Sequence, residues 1–399
     1  MNESLNTANT HLVIARDGQQ VSLQVMPTPR IGTGELLIAP LIAGLCGTDL
    51  QILRRERDDP ARVIGHEGVA RIVQVGSQVP GHLREGMNVI INPTHPSNPQ
   101  MLLGHQLDGM FQQYVRIPSA IVEAGLVVPL PVDLPTRLAP LIEPLACVIY
   151  ALELMLARKP AGPLIIYGDG IIGHLAALVA KRYLGIWTRV VMVHHGIRGL
   201  RWSENNNFRF DSHLLFDDLG SGLTLAMQDR PVAALIATPR SATLACLEHA
   251  VTHLANNGVI DLLGGVPSGS RLSSLPELGD IGEIRTHNCG GFPEQGHFTA
   301  VTTNEQKPLM LYGHRGVSSA RLVEATQVLK QTPSVFSRLV THLLTLPQAA
   351  ELMQQIAWCG EREIDGERFM KVGIEISPCT SLLKADVPHE HFGELPCSA

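Results

Sequence analysis

The chain has 399 residues, 45% hydrophobic and 17% charged, which suits two or three domains around a large core and excludes a disordered protein. Its formal net charge is −6 with no long block of one sign, which argues against nucleic acid and anionic membrane as partners. Seven cysteines, at 46, 147, 246, 289, 359, 379 and 397, are odd in number and form no Cys-x-x-Cys pair, so no disulfide framework is expected. Residues 1–6 have neither the basic nor the apolar part of a leader segment, and no apolar run approaches the roughly eighteen residues of a membrane span. A reducing, cytoplasmic setting is the expectation.

Residues 11–14, 21–25, 35–42, 68–75 and 87–91 are short runs rich in branched apolar residues, bounded by Gly, Pro and Asp. They predict strands of an antiparallel barrel-like domain carrying loops. After the third run comes Gly44-Leu45-Cys46-Gly47-Thr48-Asp49, and before the fourth Gly65-His66-Glu67-Gly68. Thiolate and imidazole are preferred zinc donors, and a carboxylate can complete the set. Cys46 or His66 alone reads more simply as a buried core residue; the combination points to a metal. Residues 93–99 and 104–109 form a loop, residues 111–117 return to strand, and residues 129–140 are a proline-punctuated connector.

The period then changes. Residues 141–157 are apolar at helical spacing and contain Glu143-Pro144-Leu145. A short strand over 164–167 leads into Gly168-Asp169-Gly170-Ile171-Ile172-Gly173 and a helix to about residue 184. Further strands are expected at 190–193, 232–237 and 259–263, with a helix over 241–255 between the last two. Strands alternating with helices predict a parallel doubly wound sheet, an α/β fold. Residues 196–230 lack that apolar pattern, and residues 202–207 read as a polar insertion. Helices over 318–330 and 346–358, a strand over 369–376 and a loose tail of twenty residues complete the chain.

In the glycine turn, Gly168 makes the tight bend, Gly170 lets a pyrophosphate approach the backbone, and Gly173 lets helix and strand pack closely. An NAD-binding unit carries a carboxylate about twenty residues on. Here the second strand ends Val193-His194-His195-Gly196-Ile197-Arg198. His194 stands where the ribose is met, and Arg198 or Arg201 suits a 2′-phosphate, so NADP is expected over NAD. The plainer alternative is that both arginines only face solvent.

Gly-x-Cys-Gly-Thr-Asp at 44–49, Gly-His-Glu-Gly at 65–68 and the glycine turn together resemble the zinc-dependent medium-chain dehydrogenase/reductase family, in its sorbitol and threonine dehydrogenase branch. The resemblance spans about residues 20–376. It implies a barrel-like, GroES-like catalytic domain (1–150 and 316–399), a Rossmann domain (151–315) and an active site in the cleft between them. By position it implies Cys46, His66, Glu67 and Glu143 as zinc ligands, Glu143 directly or through water. Thr48 would pass on the substrate proton, and Asp49 would support the turn or a ligand. Gly264 would lie near the nicotinamide, and Arg315 would line the cofactor and substrate cleft.

The implied activity is hydride transfer between a nicotinamide cofactor and a secondary alcohol or ketone. The expected substrate is a polyol, sugar, sugar phosphate or cyclitol; an amino alcohol or hydroxy amino acid is the alternative. The family implies a homodimer or homotetramer. No cysteine stands between residues 93 and 111, where relatives often hold a structural zinc, so one catalytic zinc is expected. Gln51 stands near where many relatives have a relay histidine, so the proton would leave through water or another group. A zinc-free reductase of this fold would lack the Cys46, His66 and Glu143 set. A non-catalytic binding module would have lost the ligands or the glycine turn.

Overall fold

The computed structural model describes residues 10–131, 133–219 and 230–376. It divides into two compact units. The first holds the chain to Pro93, then Pro99–Leu141 and the chain from Val340 on; the second holds Thr94–Asn98 and Ile142–Leu339.

In the first unit β1 (Thr10–Asp17) and β2 (Gln20–Pro27) form an antiparallel hairpin. β3 (Leu36–Leu45) runs directly into a short helix, α1 (Gly47–Leu53). β4 (Glu67–Val75), β5 (Asn88–Ile91), β6 (Val115–Ile117), α2 (Ser119–Glu123) and β7 (Val127–Pro129) follow. Inward-facing apolar residues such as Val13, Ile38, Ile72, Val89 and Phe111 make one continuous core. Alternation along short strands puts these residues on one face.

The second unit opens with α3 (Ile142–Leu156) and continues β8 (Leu164–Tyr167), α4 (Ile171–Leu184), β9 (Val190–His194), α5 (Ile197–Asn205) and β10 (Ser212–Leu215). β11 (Ala233–Ile236), α6 (Arg240–His253), β12 (Gly258–Asp261), α7 (Ile281–Ile284), β13 (Thr299–Thr302), β14 (Pro308–Tyr312), α8 (Ser319–Gln331) and α9 (Pro333–Ser337) complete it. Its seven strands run β10-β9-β8-β11-β12-β14-β13, all parallel except β13, which lies antiparallel to β14. The order reverses between β8 and β11, and open α/β sheets bind ligands beyond the carboxyl ends of the strands at such a point.

The chain then returns to the first unit with β15 (Val340–Thr345), α10 (Leu346–Cys359), the hairpin β16 (Glu363–Ile364) and β17 (Glu367–Arg368), and β18 (Lys371–Glu375). β18 inserts between β15 and β3 in the sheet β15-β18-β3-β4-β5-β7.

Three sequence expectations need correction. The second unit begins at 142 and ends at 339, not at 151 and 315, because α3 packs on α4 and α8. Residues 202–207 are no insertion: most of them form the end of α5, whose Ser203 hydroxyl bonds His174 of α4 and whose Trp202 ring lies edge-on to it, while its buried positions are Gly199 and Ser203. Residues 136–156 are long and apolar enough to cross a membrane, yet 83% of that window is buried inside the fold. The expected C-terminal tail and residues 1–6 lie outside the described residues.

Candidate functional site

Strand pairing assembles a cluster in the first unit. β3 and β4 pair antiparallel with Gly44 opposite Glu67, which brings the chain after β3 beside the chain before β4. Cys46 then caps α1: its backbone is extended, its sulfur lies 3.5 Å from Thr48 N, and its own N–H donates to Asp49 Oδ2 at 2.8 Å. This is a capping box with cysteine in the serine position. A Cβ on Gly44 would stand 2.8 Å from Glu67 Oε2, so only glycine leaves that carboxylate room.

One ligand atom each from Cys46, His66 and Glu67 lies within 4.8 Å of the others. His66 and Glu67 are buried and Cys46 half-buried. His66 Nδ1 and Asp49 Oδ1 have no hydrogen-bond partner and face each other at 3.7 Å. Burial holds the Asp49 carboxyl above its usual range, against the pull of His66. Thiol, imidazole and carboxylate converge with a carboxylate behind the imidazole, and that donor set fits zinc. Thr48 Oγ1 lies 3.7 Å from the Cys46 sulfur.

Two features escaped the sequence reading. Lys371 is 1% exposed, and its ammonium donates to Glu67 Oε2. Burial pulls its pKa down, but Glu67, Cys46 and Asp49 outweigh that and raise it. A lone lysine in the apolar run 369–374 was the available signal. The second is His105, whose ring lies 4.8 Å from that of His66 and whose Nδ1 is 3.4 Å from Asp59 Oδ2. Asp59 also accepts from Arg57 at 2.8 and 3.3 Å; burial raises its pKa, but hydrogen bonds from His105 and Arg57 hold it well below the usual range.

In the second unit Gly168, Gly170 and Gly173 lie between β8 and α4. A Cβ on Gly173 would stand 1.9 Å from Gly168 O, whereas one on Gly170 would meet nothing within 4 Å. Gly170 caps α4 with no side-chain hydrogen bond, which leaves the helix N–H groups open to an anion. A nucleotide pyrophosphate fits there. Gly170→Ala is therefore expected to weaken binding of a nicotinamide nucleotide with little change in melting temperature. Gly173→Ala is expected to cost roughly 1–3 kcal/mol of stability through overpacking and so to lower the melting temperature itself. Calorimetric titration beside thermal melts separates the two.

His194 requires correction as a ribose ligand. It is fully buried, with Nδ1 3.2 Å from Asp169 Oδ2 and Nε2 2.8 Å from His213 Nδ1. Phe210 N–H donates to His213 Nε2, so His213 donates to His194 and His194 to Asp169. No imidazole nitrogen of His194 is left for a sugar. Arg198 and Arg201 are exposed on α5, directly after β9. Gly264 packs tightly, since a Cβ there would meet Thr238 O at 2.7 Å. Arg315 is exposed on the loop after β14, where its N–H donates to Asn288 O at 2.9 Å and its carbonyl accepts from Gly290 N at 2.9 Å. Glu143 belongs to this unit, near the start of α3, and accepts from the Cys147 thiol at 3.2 Å.

Residues 32–131 match the alcohol dehydrogenase GroES-like domain. The L-threonine 3-dehydrogenase of Bacillus licheniformis is 30% identical over 194 residues, 43% of this chain and 54% of the relative. The chain thus spans about half the length of the curated relatives it matches. A putative zinc-binding dehydrogenase from Sinorhizobium meliloti, solved bound to NADP, has a TM-score of 0.67 at 18% identity, over 92% of this chain and 99% of that one. Galactitol-1-phosphate dehydrogenase from Escherichia coli has a TM-score of 0.66 at 21% identity, over the same shares. These likenesses carry the fold. The matched domain makes residues 32–131 an alcohol dehydrogenase GroES-like domain, and the thiol–imidazole–carboxylate cluster lies inside it.

Proposed function

We propose that this protein is a zinc-dependent oxidoreductase moving a hydride between a nicotinamide cofactor and a secondary alcohol or ketone of a small polar substrate. The observation that carries this reading is the convergence of Cys46, His66 and Glu67 donor atoms within 4.8 Å. When bound, zinc supplies Lewis acidity at the substrate oxygen, and the nicotinamide supplies the hydride acceptor or donor.

The chain's own residues do the rest. Asp49 orients His66, and Lys371 neutralises Glu67. The Thr48 hydroxyl, beside the Cys46 sulfur, takes the proton of the substrate alcohol. Glu143 is proposed as a further carboxylate for the ion on the strength of the family resemblance. Gly170 and the start of α4 hold the pyrophosphate. Gly264 and Arg315 are proposed to flank the nicotinamide end. The expected metal content is one zinc per chain; a count near two would overturn the single-site reading.

NADP is the preferred cofactor in this reading, because the residues that end β9 include no carboxylate, Asp169 beside them is engaged by His194, and Arg198 follows the strand. Losing a charge-assisted hydrogen bond of about 1.5–3 kcal/mol, Arg198→Ala is expected to lower kcat/KM with NADPH about tenfold or more, leaving NADH nearly unchanged. A wild type that prefers NADH refutes the preference.

A polyol, cyclitol or sugar phosphate is the favoured substrate, consistent with the fold shared with galactitol-1-phosphate dehydrogenase. The likeness to L-threonine 3-dehydrogenase favours a hydroxy amino acid as the second reading. A panel of polyols, cyclitols, their phosphates and L-threonine, followed by nicotinamide absorbance with and without a chelator, decides between them. Turnover that survives complete zinc removal would overturn the mechanism.

A further inference from the structure

Among the described residues of the second unit, the buried polar atoms left unpaired by strict hydrogen-bond geometry include both carboxyl oxygens of Asp261, both ring nitrogens of His314 and the Tyr150 hydroxyl. Their residues are 0%, 1% and 5% exposed, respectively. Asp261 pairs with Tyr312 at the carboxyl ends of β12 and β14. His314 follows two residues later, its ring edge-on to that of Tyr150 with centroids 4.9 Å apart. The Tyr312 hydroxyl donates to Ala151 O at 2.7 Å, which ties α3 to the same spot, and the same hydroxyl is close enough to the Asp261 carboxyl to act on its titration. Native folds pair nearly all such atoms, with protein or with ordered water.

The electrostatics select the occupant. Burial raises the Asp261 carboxyl to about 8, against Arg285 and Tyr312, so it is an uncharged acid near neutrality. Burial lowers His314 to about 3, with Arg285 acting the same way, so its imidazole is neutral. Burial raises Tyr150 to about 12, where Arg321 opposes it and Glu153, Asp261 and Cys289 add to it. Three neutral groups, each both donor and acceptor, suit a neutral hydrogen-bonding molecule.

We propose that Asp261, His314 and Tyr150 enclose an ordered internal water, and that this hydrated knot positions the loop 313–316 carrying Arg315 for the nicotinamide cofactor. The second half rests on the function proposed above. The loop is already held from one side: Asn288 Nδ2 donates to Gly313 O at 2.8 Å, and Arg315 N–H donates to Asn288 O at 2.9 Å. The His314 side chain, through the water, holds the other side. Asp261 is thus a positioning residue that works while it keeps its proton.

The signs follow from linkage. Folded Asp261 keeps a proton that the unfolded chain lacks between about pH 4 and 8, so stability falls as pH rises there. Folded His314 lacks a proton that the unfolded chain holds between about pH 3 and 6.5, so stability rises there. The two slopes offset each other up to about pH 6.5 and leave a net fall from there to about 8. The test uses the zinc-loaded full chain, Asp261→Asn and Asp261→Val. Readouts are a high-resolution crystal structure, melting temperature, and NADPH and NADH affinity from pH 6 to 9.

The expected results are solvent within hydrogen-bond distance of at least two of the three side chains and a wild-type melting temperature that drops above pH 6.5. Nucleotide affinity should also fall, by at most about tenfold per pH unit, the one-proton limit. Asp261→Asn should be flat in both, and Asp261→Val weak at every pH. An empty chamber, or an asparagine variant that tracks the wild type, overturns the proposal. If the wild type binds neither nucleotide, the functional reading fails instead, while solvent and melting profiles still judge the hydrated knot.

Discussion

On the proposed zinc site, Cys46→Ala is expected to abolish zinc binding and lower kcat/KM by about a thousandfold or more, since Lewis-acid stabilisation is worth several kcal/mol and each ~1.4 kcal/mol is tenfold. The fold should survive. Cys46 is half-buried and supplies no core volume that a cavity would replace. Its loss as a helix cap costs about 1 kcal/mol. Cys46→Ser separates the two roles: it keeps a cap oxygen in place of the sulfur that faces Thr48 N, but offers zinc a far poorer donor than thiolate. Metal content by atomic absorption, circular dichroism and kcat/KM are the measurements. A Cys46→Ala protein that retains one zinc and its full rate would sink the assignment of the metal centre.

The parts of this centre legible in sequence are those written into short spacings. Cys46 and Asp49 are one helix start, and His66 with Glu67 is one strand start, so local chemistry marks both. The glycine turn was legible for the same reason, because its three glycines act within one turn. Contacts made by distant strands were not. Lys371 reaches Glu67 only because β18, late in the chain, lies against β3. His194 shows the opposite failure: its position in the motif suggested a ligand, but its side chain turns inward to Asp169 and His213. The α5 segment hid because its buried positions, Gly199 and Ser203, carry no apolar signal. β13 and β14, at one side of the second unit's sheet, and β15, at the edge of the first unit's sheet, were missed because a strand is specified by the neighbours it packs against more than by its own residues.

Lys371→Met should be the most destabilising single change near the metal centre, and zinc should mask it. Lys371 and Glu67 are each 1% exposed and paired, and removing one partner of such a pair costs about 3–5 kcal/mol because the other charge is left buried and uncompensated. The metal-free variant is expected to melt roughly 10 °C below the metal-free wild type. In the proposed ligand set zinc attracts the same carboxylate that Lys371 now holds, so saturating metal should recover much of that loss, and the chelator-induced drop should be larger in the variant than in the wild type. Glu67→Gln together with Lys371→Met removes both charges and should restore most of the metal-free stability, since the penalty lies in the unpaired ion and not in the lost attraction. It should not restore zinc affinity if Glu67 is a ligand. Thermal melts of the three proteins, with and without chelator, read all of this at once. A Lys371→Met protein that melts with the wild type in chelator would show that Glu67 does not depend on Lys371 for its charge balance.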